Sequence, residues 1–274
     1  MDMKTRLITA GIAAALAIAL IVLGSFFSVI ITISLSIVSV ILCGEYLSAK
    51  KLNKDMKLFI PSLAFAFLIP LLSGIKYVCY IPLFVFVFGM FVLSVVFHRS
   101  FRTNDMMFSL VGVTLITVSL SALNILVTSD ADHAAFWVVF CLAVPWIADS
   151  AAYFAGNYLG KHKLCPEISP NKTVEGAIGG IIGGTLAALL VGGIFNLIYS
   201  GATVYYGVLV LIGFLNSIVS IFGDLTFSVI KRNCRIKDFG SIMPGHGGLL
   251  DRFDSVLFCI PVVFIFSQFF YLCV

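Results

Sequence analysis

Apolar runs close to 20 residues long recur along the whole chain, and they constrain its fold more than any other feature. In hydrocarbon no water satisfies the backbone, so only helices and closed barrels can cross a bilayer. Barrel strands would alternate polar and apolar residues over about ten positions. These runs do not alternate. The chain is 61% hydrophobic and 11% charged, whereas soluble domains carry about 25% charged residues. The expected fold is therefore all-α: a polytopic integral membrane protein with about nine transmembrane helices. The spans are expected at 7–24, 26–46, 58–74, 78–97, 106–127, 134–156, 174–199, 204–224 and 253–273.

Basic residues set the orientation. With the N-terminus in the cytoplasm, all but one (Lys76) of the 17 Lys and Arg residues fall on the inside. That is the distribution the positive-inside rule requires. The basic excess thus reports topology, and nucleic acid is not an expected partner. The first span follows Lys4 and Arg6, but no small-residue cleavage site follows it, so it reads as a span rather than a signal peptide. The seven cysteines form no CxxC pair and read as apolar fillers.

Residues 1–130 hold almost no ionisable groups within their spans, apart from Glu45 in CGEYLSAK. The second half differs. Asp149 lies in PWIADSAAYFAG, and an acid at membrane depth usually faces a wet cavity or a partner. In SPNKTVEG, Ser169, Thr173 and Glu175 stand where a helix begins, as caps and first-turn acids do, and Lys172 beside them could reach a phosphate. The next segment, GAIGGIIGGTLAALLVGG, repeats glycine at four-residue intervals. That reads as a helix-packing face, not a nucleotide loop.

The polar residues concentrate between Asp224 and Asp254. If the eighth span continues past the membrane, Asp224, Ser228 and Lys231 share one helix face. Gly245, Gly247 and Gly248 bracket His246 and could form an anion nest from backbone N–H groups. Asp251 and Asp254 fall in the first turn of a helix expected to begin near Leu249. Carboxylates of this kind suit Mg²⁺, which is shared between few protein ligands and substrate phosphates. Lys231, Arg232, Lys237 and Arg252 add positive charge. Zinc is disfavoured, because His246 stands alone. A Ser-His-Asp hydrolase using Ser228 lacks a nucleophile elbow. The residues point to a metal-dependent membrane enzyme acting on phosphates at the cytoplasmic face, with one lipid substrate.

The stretch SVIKRNCRIKDFGSIMPGHGGLLDRFD, Ser228 to Asp254, closely resembles the signature of phosphatidate cytidylyltransferases, or CDP-diacylglycerol synthases. Met243 stands where that family usually has Leu, Ile or Phe. DSAAYFAG from Asp149 and SPNKTVEG from Ser169 resemble two further motifs of the family. The resemblance implies transfer of the cytidylyl group of CTP to phosphatidic acid, giving CDP-diacylglycerol and pyrophosphate for phospholipid synthesis. It implies Mg²⁺ and leaves K⁺ open as a second cation. Asp224, Asp251, Lys231 and His246 would be catalytic. Asp149, Asp224, Asp251 and Asp254 would be the metal ligands. Ser169, Lys172, Thr173, Ser228, Arg232, Lys237, Asp238, Gly245, Gly247, Gly248 and Arg252 would contact substrate.

On this reading residues 1–274 form a single membrane domain. Residues 1–130 are mainly scaffold, and 134–274 are the catalytic half with cytoplasmic loops 157–173 and 225–252. The expected location is the bacterial inner (plasma) membrane. The oligomeric state stays open, a homodimer included. The alternatives are another membrane enzyme that uses CTP, such as a polyprenol kinase or an archaeal-lipid cytidylyltransferase, and a transporter or channel. The latter should show internal repeats and ionisable groups at the midplane, neither of which the sequence displays.

Overall fold

The computed structural model describes residues 28–75, 78–99, 102–199, 204–243, 245 and 247–270. The first expected span, Lys4, Arg6, Lys76 and His246 lie outside these residues. The described chain is helical apart from one small hairpin: α1 (Ser28–Ala49), α2 (Met56–Leu72), α3 (Tyr80–Val96), α4 (Thr103–Ser129), α5 (Ala134–Leu159), β1 (Lys163–Cys165), β2 (Ser169–Thr173), α6 (Val174–Ile198), α7 (Tyr206–Asn233), α8 (Leu250–Phe253) and α9 (Val256–Phe269). Among the described residues five helices, α1, α4, α5, α6 and α7, are long and apolar enough to cross a membrane, and the protein is an all-α membrane protein. Helices α2, α3 and α9 are shorter, at 17, 17 and 14 residues. At 1.5 Å per residue the two 17-residue helices lie at the lower limit for crossing a hydrocarbon core about 30 Å thick.

The chain divides into two compact units, one of residues 1–134 with 234–252, the other of 135–233 with 253–274. In the first unit α1, α2 and α4 pack on one another, and α3 lies against α2 and α4. Polar side chains join these helices where no charge is available. Asn124 of α4 accepts from Thr32 Oγ1 of α1 (2.7 Å) and donates through Nδ2 to the Pro70 carbonyl (3.0 Å) and to Ser73 Oγ (2.9 Å). Ser62 and Ser109 share a buried hydroxyl–hydroxyl bond of 2.8 Å. The Asn124 amide in particular would otherwise be a polar group without these partners in an apolar interior. Tyr46 stacks on Phe108 at 4.3 Å and donates to its carbonyl (3.2 Å), with Gly112 beneath the ring.

In the second unit α6 packs against α7, and α7 against α9. The glycine repeat of α6 is the packing face that its spacing suggests. A Cβ at Gly179 or Gly183 would collide with Ala155 or Ala151 of α5, and one at Gly184 with Ser217 of α7. Ile178, Ile182, Leu186, Leu190 and Ile194 form the opposite, exposed stripe. Small residues inward and branched ones outward is how helices approach closely in lipid.

Two local differences from the sequence reading matter. The polar connection 157–173 contains an antiparallel pair, with Lys163 opposite Thr173 and Cys165 opposite Ser169. The helix expected from near Leu249 is broken: α8 ends at Phe253, Asp254 and Ser255 interrupt it, and α9 begins at Val256. Asp254 Oδ1 accepts the N–H of Ser255 (2.8 Å), a bond local to the break. Short polar side chains that bond nearby backbone compete with helix in this way.

The Tyr46 contact yields a prediction. Gly112→Ala places a methyl group inside the Tyr46 ring and should cost about 1–3 kcal/mol. Gly44→Ala meets nothing within 4 Å and should be neutral or stabilising by up to about 1 kcal/mol. Thermal unfolding of the two variants in detergent measures the contrast.

Candidate active site

The second unit gathers three carboxylates, two lysines and three serines around the cytoplasmic ends expected for α5 and α7. Asp149 comes from α5. Both of its oxygens accept hydroxyl donors: Oδ1 from Ser220 of α7 (3.0 Å) and Oδ2 from Ser255 at the helix break (2.7 Å). Asp224 comes from α7, one turn beyond Ser220. Its Oδ2 lies 2.5 Å from Lys172 Nζ, and its Oδ1 accepts from Ser228 Oγ (3.3 Å). Asp254 is 8% exposed and stands 4.0 Å from Lys231 Nζ, a long ion pair. Asp149, Asp224 and Asp254 are close enough to repel one another electrostatically.

The expected alignment of Asp224, Ser228 and Lys231 is present, because α7 runs unbroken to Asn233. Apolar residues fill its membrane part, and Lys231 and Arg232 close its last turn, where cations favour the helix dipole. Arg232 is exposed.

Lys172 reaches Asp224 from the hairpin, and the hairpin is tied to the start of α6. Thr173 is the N-cap of α6, its Oγ1 accepting from Gly176 N (3.1 Å). Glu175 in the first turn accepts from the backbone N–H of Lys161 (3.1 Å) and His162 (3.2 Å) and pairs with His162 Nδ1 (2.6 Å). Side chains at Gly156, Gly160 or Gly176 would crowd Thr173 Oγ1 at 2.8–2.9 Å. Ser169 stands half-buried at the start of β2. Between the hairpin, α5, α6 and α7 lies a cleft of about 560 Å³ whose polar lining includes Asp149, Lys161, Lys163, Asn171, Lys172 and Asp224. Three lysines and a floor of small residues make it suited to an anionic ligand.

The remaining sequence-derived candidates belong to the first unit. Lys237, Asp238 and Arg252 are exposed. Gly245 and Gly247 both have φ of 82°, the left-handed region that glycine adopts without strain. Asp251 Oδ2 accepts from Phe239 N (2.8 Å) and Gly248 N (3.0 Å). Glu45 accepts from Leu249 N (3.1 Å) and Leu250 N (2.7 Å). Carboxylates of the chain itself thus take the amides of Gly248, Leu249 and Leu250, which the sequence suggests for phosphate. Burial raises the pKa of the neighbouring Cys234 thiol, Lys50 opposing the shift.

Sequence reasoning passed over Ser220 and Ser255, the two hydroxyls that hold Asp149. Ser220 precedes Asp224 by one helical turn, a signal that was present. Ser255 carries none, because its role depends on the helix break.

Among the described residues no three His, Cys, Asp or Glu side chains form a metal-ligating group. The donor chemistry still fits a hard cation. Asp149, Asp224 and Asp254 each offer carboxylate oxygens, and Mg²⁺ takes one or two carboxylates and completes its shell with water and phosphate.

The cytidylyltransferase family model matches residues 4–270. The chain belongs to the cytidylyltransferase family. Within 128 residues, 47% of the chain, it is 48% identical to phosphatidate cytidylyltransferase of Bacillus subtilis. It is 35% identical over 170 residues, 62% of the chain, to the enzyme of the same name from Staphylococcus saprophyticus. With that of Haemophilus influenzae it shares 38% over 144 residues, 53% of the chain. These matches span 46%, 62% and 49% of the relatives' own lengths.

Thr173→Val keeps the shape of the side chain but removes the cap on α6. It should cost about 1 kcal/mol and speed amide hydrogen exchange at Gly176. A variant with unchanged exchange there would show that the cap is dispensable.

Proposed function

We propose that the chain transfers the cytidylyl group of CTP to phosphatidic acid, releasing pyrophosphate and leaving CDP-diacylglycerol in the membrane. The observation that carries this reading is the cluster of Asp149, Asp224 and Asp254 with Lys172 and Lys231 on the helices of a membrane protein of the cytidylyltransferase family. The relatives named above carry the name of this activity.

A phosphate oxygen of the lipid attacks the α-phosphorus of CTP. The bond from that phosphorus to the bridging oxygen breaks, and pyrophosphate leaves with the electron pair. Two polyanions must meet, and bringing them together is unfavourable unless cations intervene. Lys172 and Lys231 supply fixed positive charge, and Lys161 and Lys163 extend it along the cleft. Asp224, with Asp149 or Asp254, would hold Mg²⁺. A divalent ion bound there would neutralise the charge shared between the two substrates. Ser220 and Ser255 fix Asp149 so that its carboxylate need not reorganise. Ser228 orients Asp224. Asp251, His246, Ser169, Arg232, Lys237, Asp238, Arg252, Gly245 and Gly247 keep their roles on the strength of the sequence motifs, whereas the amide of Gly248 is already taken by Asp251.

The topology that goes with this reading has about nine transmembrane helices, the N-terminus in the cytoplasm and the active site at the cytoplasmic face of a bacterial plasma membrane. It rests on the apolar runs and on the distribution of Lys and Arg. A shared-copy architecture such as a homodimer and a second cation such as K⁺ are compatible with it.

The test is direct. Purified protein receives phosphatidic acid, α-labelled CTP and Mg²⁺, and label is followed into lipid with and without EDTA. Label in lipid that EDTA abolishes is the expected result. No label from folded protein over several acyl chains would sink the reading and bring a CTP-dependent lipid kinase forward. Asp224→Asn should lower the rate at least about a hundredfold with membrane insertion retained. Lys50→Ala should keep near-normal turnover, because its pair with Asp105 (2.7 Å) is a half-exposed one and such pairs contribute little.

A further inference from the structure

Glu45 stands one turn before the end of α1 and is 7% exposed. Its carboxylate bonds to backbone far along the chain, through Oε1 to Leu249 N, 204 residues later, and through Oε2 to Leu250 N. The fit is close on every side. A Cβ at Gly248 would lie 2.6 Å from Oε2, and one at Gly240 would overlap the carboxylate. A side chain at either point would displace the Glu45 carboxylate from its amides.

Asp251 follows directly. It binds the same segment from the other side, accepting Phe239 N and Gly248 N on Oδ2. Gly247, at positive φ, would bring a Cβ within 3.0 Å of that oxygen. Two carboxylates therefore hold the backbone at Phe239 and at Gly248, Leu249 and Leu250, and they lie close enough to repel each other. Like charges in a half-buried place are disfavoured unless amide donors offset them. Here four N–H groups do so. A carboxylate serving only to end α1 would need none of these distant partners.

We propose that Glu45 is a positioning residue for Asp251: it clamps the amides just before Asp251 and so fixes where that carboxylate is presented. The inference rests on the reading of Asp251 as part of the catalytic apparatus. Gln at position 45 keeps the shape but replaces one acceptor oxygen with an amide donor, which faces a backbone N–H. One clamp bond is lost and a donor–donor clash is added.

The experiment compares wild type, Glu45→Gln and Glu45→Asp, with Asp251→Asn as reference, all as full chains in detergent. Amide hydrogen exchange over 239–251 is read first, without substrate. In Glu45→Gln this segment should exchange about tenfold faster or more, while α2 and α4 keep their protection. In the transfer assay the folded Glu45→Gln protein should lose roughly tenfold or more in kcat and need more Mg²⁺ for half-maximal rate. A purely structural role would lower yield or melting temperature and leave that Mg²⁺ requirement unchanged. Glu45→Asp keeps the charge with a shorter reach and should fall between; it carries the test if Glu45→Gln does not fold. Wild-type exchange in either variant overturns the proposal. Faster exchange with an unchanged rate and Mg²⁺ requirement overturns it too. Full turnover in Asp251→Asn would refute the reading of Asp251, and with it the proposal, while the exchange data would still show the clamp. A wild-type protein that labels no lipid would refute the reaction, leaving exchange alone to decide whether Glu45 holds the segment.

Discussion

A carboxylate taken out of water must find donors where it is buried, and in this chain that requirement fixes the polar architecture. The cost of a buried charge is several kcal/mol even after relaxation. Helical backbone offers no help, since its own N–H groups are already used. The donors must come from hydroxyls, lysines or helix ends. Asp149 takes two serine hydroxyls, Asp224 takes Lys172 and Ser228, and Glu45 takes two amides at the start of α8. Each solution joins elements distant in sequence. Few charges thus specify tertiary structure that an apolar surface alone would leave loosely defined.

Small residues make the second of these solutions reachable. Lys172 meets Asp224 because the hairpin sits tightly against the start of α6, and it sits tightly because Gly156, Gly160 and Gly176 leave room around Thr173. The same economy continues along α6, where glycines admit α5 and α7. Packing here sets the position of a lysine that carries charge in the site. A larger residue at any of these glycines, which also line the cleft, would push the hairpin and with it Lys172 away from Asp224.

Much of this was legible in the sequence, because helices obey local rules. Apolar runs marked the helices, glycine spacing marked the packing face of α6, and Ser or Thr before an acid marked its cap. The alignment of Asp224, Ser228 and Lys231 needed only helical periodicity and an unbroken α7. What escaped depends on contacts between distant residues. Glu45 stands out in the sequence only as a lone acid in an apolar run, since nothing near it in sequence names Leu249 or Leu250. The break at Asp254 and Ser255 escaped because an acid in a first helical turn ordinarily favours helix. Ser255 turns away to Asp149 instead, and that pairing is visible only in three dimensions. The short strands escaped because SPNKT lacks the alternation that marks a strand.

The glycines around His246 show how one sequence signal supports two physical readings. Glycine allows backbone to approach an anion closely, and the sequence suggests a phosphate as that anion. In the structure, amides of Gly248, Leu249 and Leu250 approach the carboxylates of Asp251 and Glu45. Gly240 and Gly248 are small because Glu45 passes beside them. The demand for glycine is the same in both cases, but the anion belongs to the protein. An anion supplied by the protein organises the segment before any substrate arrives, so its amides stabilise geometry instead of consuming substrate binding energy. On the proposed reading, neutralising substrate phosphates would then fall to side-chain cations, whose charge can reach several phosphate oxygens without a fixed hydrogen-bond direction.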